Sequence, residues 1–183
     1  MGTSTNWTID TTHSTAEFAV KHLMISTVKG RFGKVDGTVS VTDATPAVVA
    51  VDVTIPVASI DTREEKRDAH LRSPDFFDAE KFPTITFKST GFSGSTTAEF
   101  QLTGNLTIHG VTRAVTLKGE AAGTVKDPWG GERSGFSAAT KINRKDFGLT
   151  WNAALEAGGV VVGEEVKISI EVELVKQAAV AAA

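Results

Sequence analysis

Cysteine and tyrosine are both absent from this chain of 183 residues. Without cysteine, the chain has no disulfide framework, no thiolate metal site and no cysteine nucleophile. The absence of tyrosine removes a phenolic acid or base. Neither sign of charge dominates, because 19 Lys and Arg stand against 22 Asp and Glu for a formal net charge of −3. This balance gives no broad attraction to nucleic acid, so we expect no nucleic-acid partner.

Long apolar runs are missing as well, since no stretch approaches the roughly 18 consecutive apolar residues of a membrane helix. The opening residues, MGTSTNWTID, have neither the basic nor the apolar region of a secretory signal, and we therefore expect a cytoplasmic protein. The length suits a single domain. We predict this domain over residues 7–176, with a flexible N-terminus over residues 1–6 and a disordered alanine-rich tail over residues 177–183.

An alternation of apolar and polar residues dominates the chain. It is clearest in residues 165–175, where one face is apolar and the other carries lysine, serine and glutamate. A period of two is typical of an antiparallel strand with one buried face. About eight or nine such strands follow one another, joined mostly by short turns such as His109-Gly110 and residues 127–131. The pattern predicts an all-β fold, either an up-and-down barrel or a sandwich.

Glycines and polar residues on the predicted inward faces indicate what the interior of the fold contains. Gly37, Gly104 and Gly119 fall in phase with apolar residues. These glycines either leave space inside the barrel or only let the strands bend, and the two explanations are compatible. If the interior is hollow, Gly104→Leu should fit sterically and abolish ligand uptake. His22 and Arg113 are also in phase with inward residues. Arg113 then requires an acidic partner within the protein or an anionic or polar ligand headgroup.

A charge-dense segment, RDAHLRSPDFFDAEKFP at residues 67–83, interrupts the strands. Asp61 and Glu64 resemble a capping box, and residues 64–71 lack β-branched side chains, so we predict a short helix that ends at Pro74. The segment either closes one end of a barrel as a lid over a cavity or fills that end as a plain hydrophobic plug. Its apolar residues are Leu71, Phe76, Phe77 and Phe82.

Signals for catalysis are weak. The four histidines (His13, His22, His70 and His109) are far apart and lack metal-binding spacing, so we predict neither a metal site nor a cofactor. No nucleophile elbow occurs, since GFSGS at residues 91–95 only looks similar. We expect His70 to be a hydrogen-bonding residue of the surface or of the lid, and His109 to belong to a hairpin turn. An enzyme acting on a lipid substrate is kept as an alternative.

Five stretches of the sequence together carry a resemblance to a known family. They are WTIDTTHSTAEFAVKH at residues 7–22, GRF at 30–32, SIDT at 59–62 followed by RDAHLRSPDFFDAEKFPTITF at 67–87, GNLTIHGVT at 104–112, and INRKDFGLTWN at 142–152. In this order and spacing they resemble the YceI-like family, from residue 7 to about residue 176. The resemblance implies a lipocalin-like antiparallel barrel of about eight strands, a short helical segment and an elongated apolar cavity for an isoprenoid or acyl chain. It also implies a homodimer, whereas the lack of a signal peptide departs from many relatives.

The predicted ligand is a long-chain amphiphilic lipid, such as a polyisoprenoid, an isoprenoid quinone or an acyl chain, held for storage, transport or protection. A dry tunnel suffices for tight capture, because each buried methylene contributes about 0.8 kcal/mol. We predict no catalytic residue. The predicted binding residues, apolar along the tunnel and polar at the headgroup, are Phe18, Val20, His22, Phe32, Leu71, Phe76, Phe77, Phe87, Leu102, Leu106, Ile108, Arg113, Phe136, Arg144, Asp146 and Trp151.

Three points stay open at the level of sequence. Arg144 and Asp146 either contact the headgroup or form an internal ion pair that fixes the RKDFG turn. Trp129 touches a membrane transiently, meets a second subunit or packs on its own barrel rim. A barrel filled by side chains, in a ligand-free stress-related partner protein, is the further alternative to a lipid carrier.

Overall fold

The computed structural model describes residues 4–43, 47 and 49–178. Strands dominate this part of the chain. They are β1 (Ser4–Ile9), β2 (Thr15–His22), β3 (Ser26–Phe32), β4 (Asp36–Thr42), β5 (Val49–Pro56), β6 (Ile60–Asp61), β7 (Thr84–Gly94), β8 (Glu99–Ile108), β9 (Val111–Lys126), β10 (Glu132–Asn143) and β11 (Val162–Lys176). The described helices are α1 (Glu65–Arg72) and two 3-10 helices, Val57–Ser59 and Arg144–Phe147. None of them is long and apolar enough to cross a bilayer.

The strands form one closed antiparallel barrel. β1 and β2 follow each other along β11, with Ile9 opposite Leu174 and Thr15 opposite Glu171. β3 and β4 follow each other in the same way, because β3 pairs with β2 while β4 pairs with β1. β5 and β6 do so as well, because β5 pairs with β4 while β6 pairs with β3. With each of these three pairs counted as one interrupted strand, the barrel has 8 strands. The predicted all-β barrel with a short helical segment is confirmed.

The two ends of the barrel differ in what covers them. At one end, here called the lid end, lie α1, the turn at His109 and Gly110, and the 3-10 helix Arg144–Phe147. At the other end, here called the hairpin end, lie the β7–β8 turn at residues 95–98 and the β9–β10 turn at residues 127–131. Both His109 and Gly110 have positive φ, as a two-residue hairpin turn requires, so His109 lies in a turn as predicted.

Alternation along the strands separates an apolar interior from a polar surface. In β7, Ile85 and Phe87 are buried, whereas Lys88 on the outer face is exposed. The most tightly packed cluster lies at the lid end, where Val57 and Phe147 are each only 1% exposed. Within the described residues, the lid end therefore holds the largest cluster of buried apolar side chains.

The helix of the interrupting segment is capped differently from the prediction. Glu64 is the N-cap, and its carboxylate accepts hydrogen bonds from the backbone N–H groups of Lys66 and Arg67. The predicted capping box on Asp61 is wrong, because Asp61 accepts from the N–H of Arg63 in a turn before the helix. The helix ends at Arg72, just before Ser73 and Pro74, as the sequence indicates.

The boundaries of the domain also differ slightly from the prediction. β1 begins at Ser4, which lies opposite Thr42 of β4, so residues 4–6 belong to the barrel rather than to a flexible N-terminus. The N–H of Gln177 donates to the carbonyl of Asn6, which extends the ordered chain just past the predicted end of the domain. Residues 1–3 and 179–183 lie outside the described residues.

Candidate functional site

An apolar cavity of about 520 Å³ runs along the barrel interior, from the lid end to the hairpin end. Aliphatic and aromatic side chains from nearly every strand form its wall. Twelve of the predicted binding residues line it: Phe18, Val20, Phe32, Leu71, Phe76, Phe77, Phe87, Leu102, Leu106, Ile108, Phe136 and Arg144. Period-two alternation is what brings most of them together, since each lies on the inward face of its strand or on the segment that covers the lid end, except Arg144, which begins a 3-10 helix after β10.

The lid end of the cavity is closed by aromatic packing. The ring of Phe77 meets Phe32 edge to face, with centroids 5.9 Å apart, and Phe76 is buried beside it. Leu71 of α1 completes this end of the wall. The interrupting segment therefore lies over a cavity, whereas Phe82 packs outside it, with its ring 4.8 Å from that of His109.

Two charged residues of the interrupting segment attach α1 to the barrel. Asp68 is buried, and its carboxylate accepts from both the N–H (2.9 Å) and the hydroxyl of Thr62. Arg67 donates from Nε to the same hydroxyl at 2.8 Å and from Nη2 to the carbonyl of Thr62 at 2.8 Å. The high charge of this segment is thus partly structural, because these bonds hold the cover in place.

Trp151 does not line the cavity but packs against the segment that closes its lid end. Its ring lies 5.2 Å from that of Phe76 and 4.9 Å from that of His70. His70 makes a hydrogen bond with Asp75 at 2.8 Å, in keeping with its predicted hydrogen-bonding role. Strand phase did not predict this placement, because Trp151 lies in a loop, where alternation carries no information.

The hairpin end of the cavity has a polar and partly exposed wall. Thr97 and Lys176 are exposed there, and Thr96 and Glu132 are half-buried. The ammonium of Lys176 is 3.0 Å from the carboxylate of Glu132 and 5.9 Å from the ring centre of Trp7. These side chains form a polar rim around the mouth of an otherwise apolar cavity. Sequence reasoning missed this rim because only the folded barrel brings the separate hairpins and the end of β11 together.

Arg144 lies in the cavity wall at the lid end and is 3% exposed. Its guanidinium donates to the carbonyl oxygens of Gly163 (2.8 Å), Leu149 (2.7 Å) and Val162 (3.3 Å). Burial lowers the pKa of Arg144, and the charge of Glu164 offsets part of this effect. The alternative of an internal ion pair with Asp146 is wrong, because main-chain carbonyls rather than a carboxylate hold the guanidinium.

Three other predicted polar contacts lie outside the cavity wall. Arg113 is exposed and donates from Nε to the main-chain carbonyl of Asp146 at 3.1 Å, so it meets neither an acidic side chain nor the cavity. Asp146 itself is exposed in the 3-10 helix. His22 ends β2 opposite Val162, where the pairing with β11 becomes irregular, and it does not line the cavity. Strand phase fails for His22 and Asp146 because they lie at or beyond the end of a regular ladder. Arg113 lies within the β8–β9 ladder, opposite Leu106, but its guanidinium extends to the 3-10 helix at the lid end.

None of the three in-phase glycines leaves empty space: Gly37 lies against the backbone of Asp52 and Val53, and the other two accommodate aromatic rings. A Cβ added at Gly104 would overlap the ring of Phe87, and one added at Gly119 would overlap the ring of Phe100. The cavity is real, but its volume does not come from these glycines. Gly104→Leu is therefore not a test of the cavity, since it would displace Phe87 before reaching open space.

Phe92 is a cavity residue that the sequence did not predict. It stacks with Phe100 at 5.9 Å, and both line the cavity near the hairpin end. Simple alternation from Phe87 places Phe92 on the outer face, but the pairing of β7 with β8 shifts register between Ser89 and Gly91. A glycine inside a strand was the available signal, because it often marks a bulge.

Potential metal ligands also converge on the outer surface, which sequence spacing did not predict. Asp10, His13 and Glu173 bring their ligand atoms within 4.8 Å of one another. The guanidinium of Arg133 already lies among them, with Nη1 2.7 Å from Asp10 and 2.6 Å from Glu173. The positive charge of Arg133 satisfies these carboxylates, so the cluster functions as an ion-pair network.

Comparisons with known proteins agree with the fold. The sequence model of the YceI-like domain matches residues 7–174. Protein YceI of Salmonella newport is 41% identical over 165 residues, which make up 90% of this chain and 83% of that protein. The crystal structure of the Campylobacter jejuni YceI protein matches with a TM-score of 0.69 at 34% identity, over 86% of this chain and 90% of that one. A polyisoprenoid-binding domain from Saccharophagus degradans has the same fold, with a TM-score of 0.67 at 15% identity, over 92% of this chain and 97% of that one.

Proposed function

The chain belongs to the YceI-like domain family, and from that premise we propose that it binds the apolar chain of a long-chain amphiphilic lipid inside its barrel. The ligand class is a polyisoprenoid, an isoprenoid quinone or an acyl lipid. The solved relative described as a polyisoprenoid-binding domain has the same fold and supports this class. The protein then stores, transports or protects its ligand.

The observation that carries the proposal is the continuous apolar cavity. Its volume of about 520 Å³ lies in the range of ligand pockets, roughly 300–1,000 Å³, and its wall is aliphatic and aromatic along most of its length. A methylene moved from water into such a space gains about 0.8 kcal/mol, so a long chain supplies most of the affinity. An interior of this kind argues against a barrel filled by its own side chains.

The arrangement of polar groups sets the orientation of the ligand. The lid end is closed by Phe76 and Phe77, whereas the rim at the hairpin end carries Thr97, Glu132 and Lys176. In the proposed complex the apolar tail points to the lid end and the headgroup stays at the rim, where water and hydrogen-bonding groups are available. Chain length is then limited by the closed end, and the headgroup is selected by a few polar contacts.

Three charged residues of the cavity wall favour a binding protein over an enzyme. Arg144 uses its guanidinium on three carbonyls, and Lys176 and Glu132 pair with each other. Each is thus engaged in holding the barrel together rather than poised beside a reacting atom. We propose that the bound lipid is returned unchanged.

The first test blocks the middle of the cavity and identifies the ligand. Ala138 lines the cavity beside Phe87, Leu102 and Leu117, whereas its neighbour Ala139 is exposed on the outer face of β10. Ala138→Phe should fill the cavity and reduce bound lipid at least tenfold, because the added ring takes the volume of the chain. Ala139→Phe is the matched control and should bind as the wild type does.

The measurement is native mass spectrometry with solvent extraction of the purified protein, followed by addition of geranylgeraniol, solanesol or palmitic acid. A stoichiometric lipid in the wild type that is lost in Ala138→Phe supports the proposal. Folded wild-type protein that carries and takes up none of these lipids, or full binding by a folded Ala138→Phe variant, contradicts it. The same spectra test the predicted homodimer, while the cytoplasmic location stays a prediction.

A further inference from the structure

We propose that the hairpin end, led by Trp129, docks on the surface of a lipid bilayer when the protein takes up or releases its ligand. This inference rests on the proposed function, because a lipid carrier must meet a lipid phase where its cavity opens. Three observations carry it: the exposure of Trp129, its fixed position beside the cavity mouth, and the difference in charge between the two ends of the barrel.

Trp129 is 83% exposed at the tip of the β9–β10 hairpin. This exposure excludes the predicted alternative in which Trp129 packs on its own rim. Val125 on the same hairpin is also exposed, at 65%. An indole ring prefers the interface of a membrane, where its apolar body is covered and its N–H remains hydrated. The tip thus has the chemistry of a shallow membrane contact.

The hairpin holds Trp129 in a defined position. The carboxylate of Asp127 accepts from the N–H groups of Trp129 (3.0 Å) and Gly131 (2.8 Å). Its second oxygen accepts from Nε of Arg133 at 2.9 Å, and Arg133 in turn reaches Asp10 of the neighbouring barrel wall. Because these bonds fix the turn on the barrel, the backbone that carries Trp129 is already ordered before the protein meets a membrane.

The tip is continuous with the mouth of the cavity. Glu132 begins β10 directly after the turn and lines the cavity, as does Thr124 near the end of β9. Thr96 and Thr97 of the β7–β8 turn complete the same rim. A bilayer touched by Trp129 therefore lies next to the opening through which a lipid chain passes.

Charge separates the two ends of the barrel. At the lid end, eleven charged residues occur between Arg63 and Lys81. At the hairpin end, residues 89–98 carry none, Asp127 pairs with Arg133 and Glu132 pairs with Lys176, while Glu99 and Lys126 at the ends of the flanking strands are exposed. Removing water from unpaired charges is costly, so the hairpin end is the one suited to contact with lipid. Because the charges around it balance in sign, this end suits a neutral lipid surface rather than an anionic one.

The contact itself can be measured without any ligand. Vesicles of brominated phosphatidylcholine quench tryptophan emission when an indole enters the lipid. Wild-type protein should be quenched, and Trp129→Phe should lose that quenching although Trp7 and Trp151 remain. Absence of quenching in the wild type, or equal quenching in the variant, overturns the proposal.

The functional consequence is tested by transfer of geranylgeraniol from phosphatidylcholine vesicles to the protein. Trp129→Ser should slow transfer about tenfold, the effect of losing one well-buried aromatic contact. The matched control is Ile25→Ser, because Ile25 is 84% exposed but lies in the β2–β3 turn at the lid end. Ile25→Ser should transfer at the wild-type rate, and equal slowing by both variants overturns the assignment of the hairpin end.

The outcomes separate this inference from the proposed function. Trp129→Ser should still bind geranylgeraniol to the wild-type level when the lipid is added from ethanol, because the cavity is unchanged. If the wild type does not bind that lipid, the proposed function fails whatever the quenching shows. If binding is normal but Trp129→Ser transfers normally, only the docking inference fails. A dimer that dissociates in Trp129→Ser without any vesicle quenching would assign Trp129 to a second copy of the chain and overturn docking.

Discussion

The buried cation Arg144 organises the lid end of the barrel through hydrogen bonds to main-chain carbonyls. Arg144 joins the end of β10 to the loop at Leu149 and to the start of β11 at Gly163 through main-chain carbonyls. Hydrogen bonds from a charged donor are stronger than neutral ones, and buried carbonyls that lose them are costly. The guanidinium thus replaces backbone pairing where the β10–β11 ladder ends.

Replacement of Arg144 by Met should therefore destabilise the fold by roughly 3 kcal/mol. The carbonyls of Leu149 and Gly163 lose their donor, whereas Val162 keeps a bond from Asn152. Arg113→Met is the control, because Arg113 is exposed and its guanidinium donates one hydrogen bond, to the carbonyl of Asp146. This variant should lose about 0.5 kcal/mol or less of unfolding free energy. Urea unfolding measures both, and equal losses for the two variants would show that the carbonyl network is unimportant.

The sequence predicts the position of Arg144 but not its partners. Its place in the cavity wall follows from the phase of Ile142, which the strand period sets. The carbonyls it contacts belong to a loop and to an irregular strand start, and no side-chain pattern encodes the direction of a main-chain oxygen. Arg113 shows the same limit, since its partner is also a main-chain carbonyl.

At the level of strands, phenylalanine rings lie over glycines of the neighbouring strand. Phe18 covers Gly30 between β2 and β3, Phe87 covers Gly104 between β7 and β8, and Phe100 covers Gly119 between β8 and β9. Such pairs shield the exposed backbone of a strand glycine and pin the register between strands. They explain why glycines recur on inward faces of a barrel that still contains a cavity.

Substitution of Gly104 by Ala should cost about 1–3 kcal/mol, because a methyl group there displaces the buried ring of Phe87. Gly91→Ala on the adjacent strand is the control, since no atom lies within 4 Å of its added Cβ. That change should be neutral or stabilise by up to about 1 kcal/mol through the unfolded chain. Thermal or urea unfolding of both variants gives the comparison, and a neutral Gly104→Ala would show that the ring moves away freely.

Strand periodicity predicts most of the cavity wall and fails where a strand is irregular. Phe87, Leu102 and Ile108 are located correctly because their strands alternate without interruption on these stretches. Phe92 is missed because one extra residue at the β7 bulge exchanges the two faces of the strand. The mouth of the cavity is also missed, because residues from separate hairpins form it and no local pattern relates them.

For the whole molecule, closure depends on joining the first strand to the last. β1 lies against β11 over only a short ladder from Trp7 to Ile9. Arg133 of β10 reinforces this junction from the outer surface, since it contacts Asp10 after β1, Glu173 of β11 and Asp127 of the β9–β10 turn. The sequence predicts the barrel but not this junction, because residues as far apart in the chain as Asp10 and Arg133 form it.

The ion-pair network gives the barrel a defined response to acid. Hydrogen bonds from Thr12, His13 and Arg133 hold the pKa of Asp10 well below its usual range, and Arg133 is the main cause of the lowered pKa of Asp127. A carboxylate with a lowered pKa stabilises the fold above its unfolded pKa, near 4, and this contribution is lost as pH falls toward the folded value. His13 has a raised pKa and is protonated in both states below about pH 5, so it adds no slope there.

Arg133→Met should lower the free energy of unfolding most near neutral pH and progressively less below about pH 4, because the carboxylates it stabilises become protonated. Urea unfolding between about pH 6 and pH 2.5 measures the difference from the wild type. Lys141→Met is the control on the same strand, since its ion pair with Glu165 is long (3.7 Å) and exposed, and it should show a small difference at every pH. A stability difference between Arg133→Met and the wild type that stays constant with pH would mean that Arg133 acts through packing rather than charge. The ion-pair network would then not stabilise barrel closure.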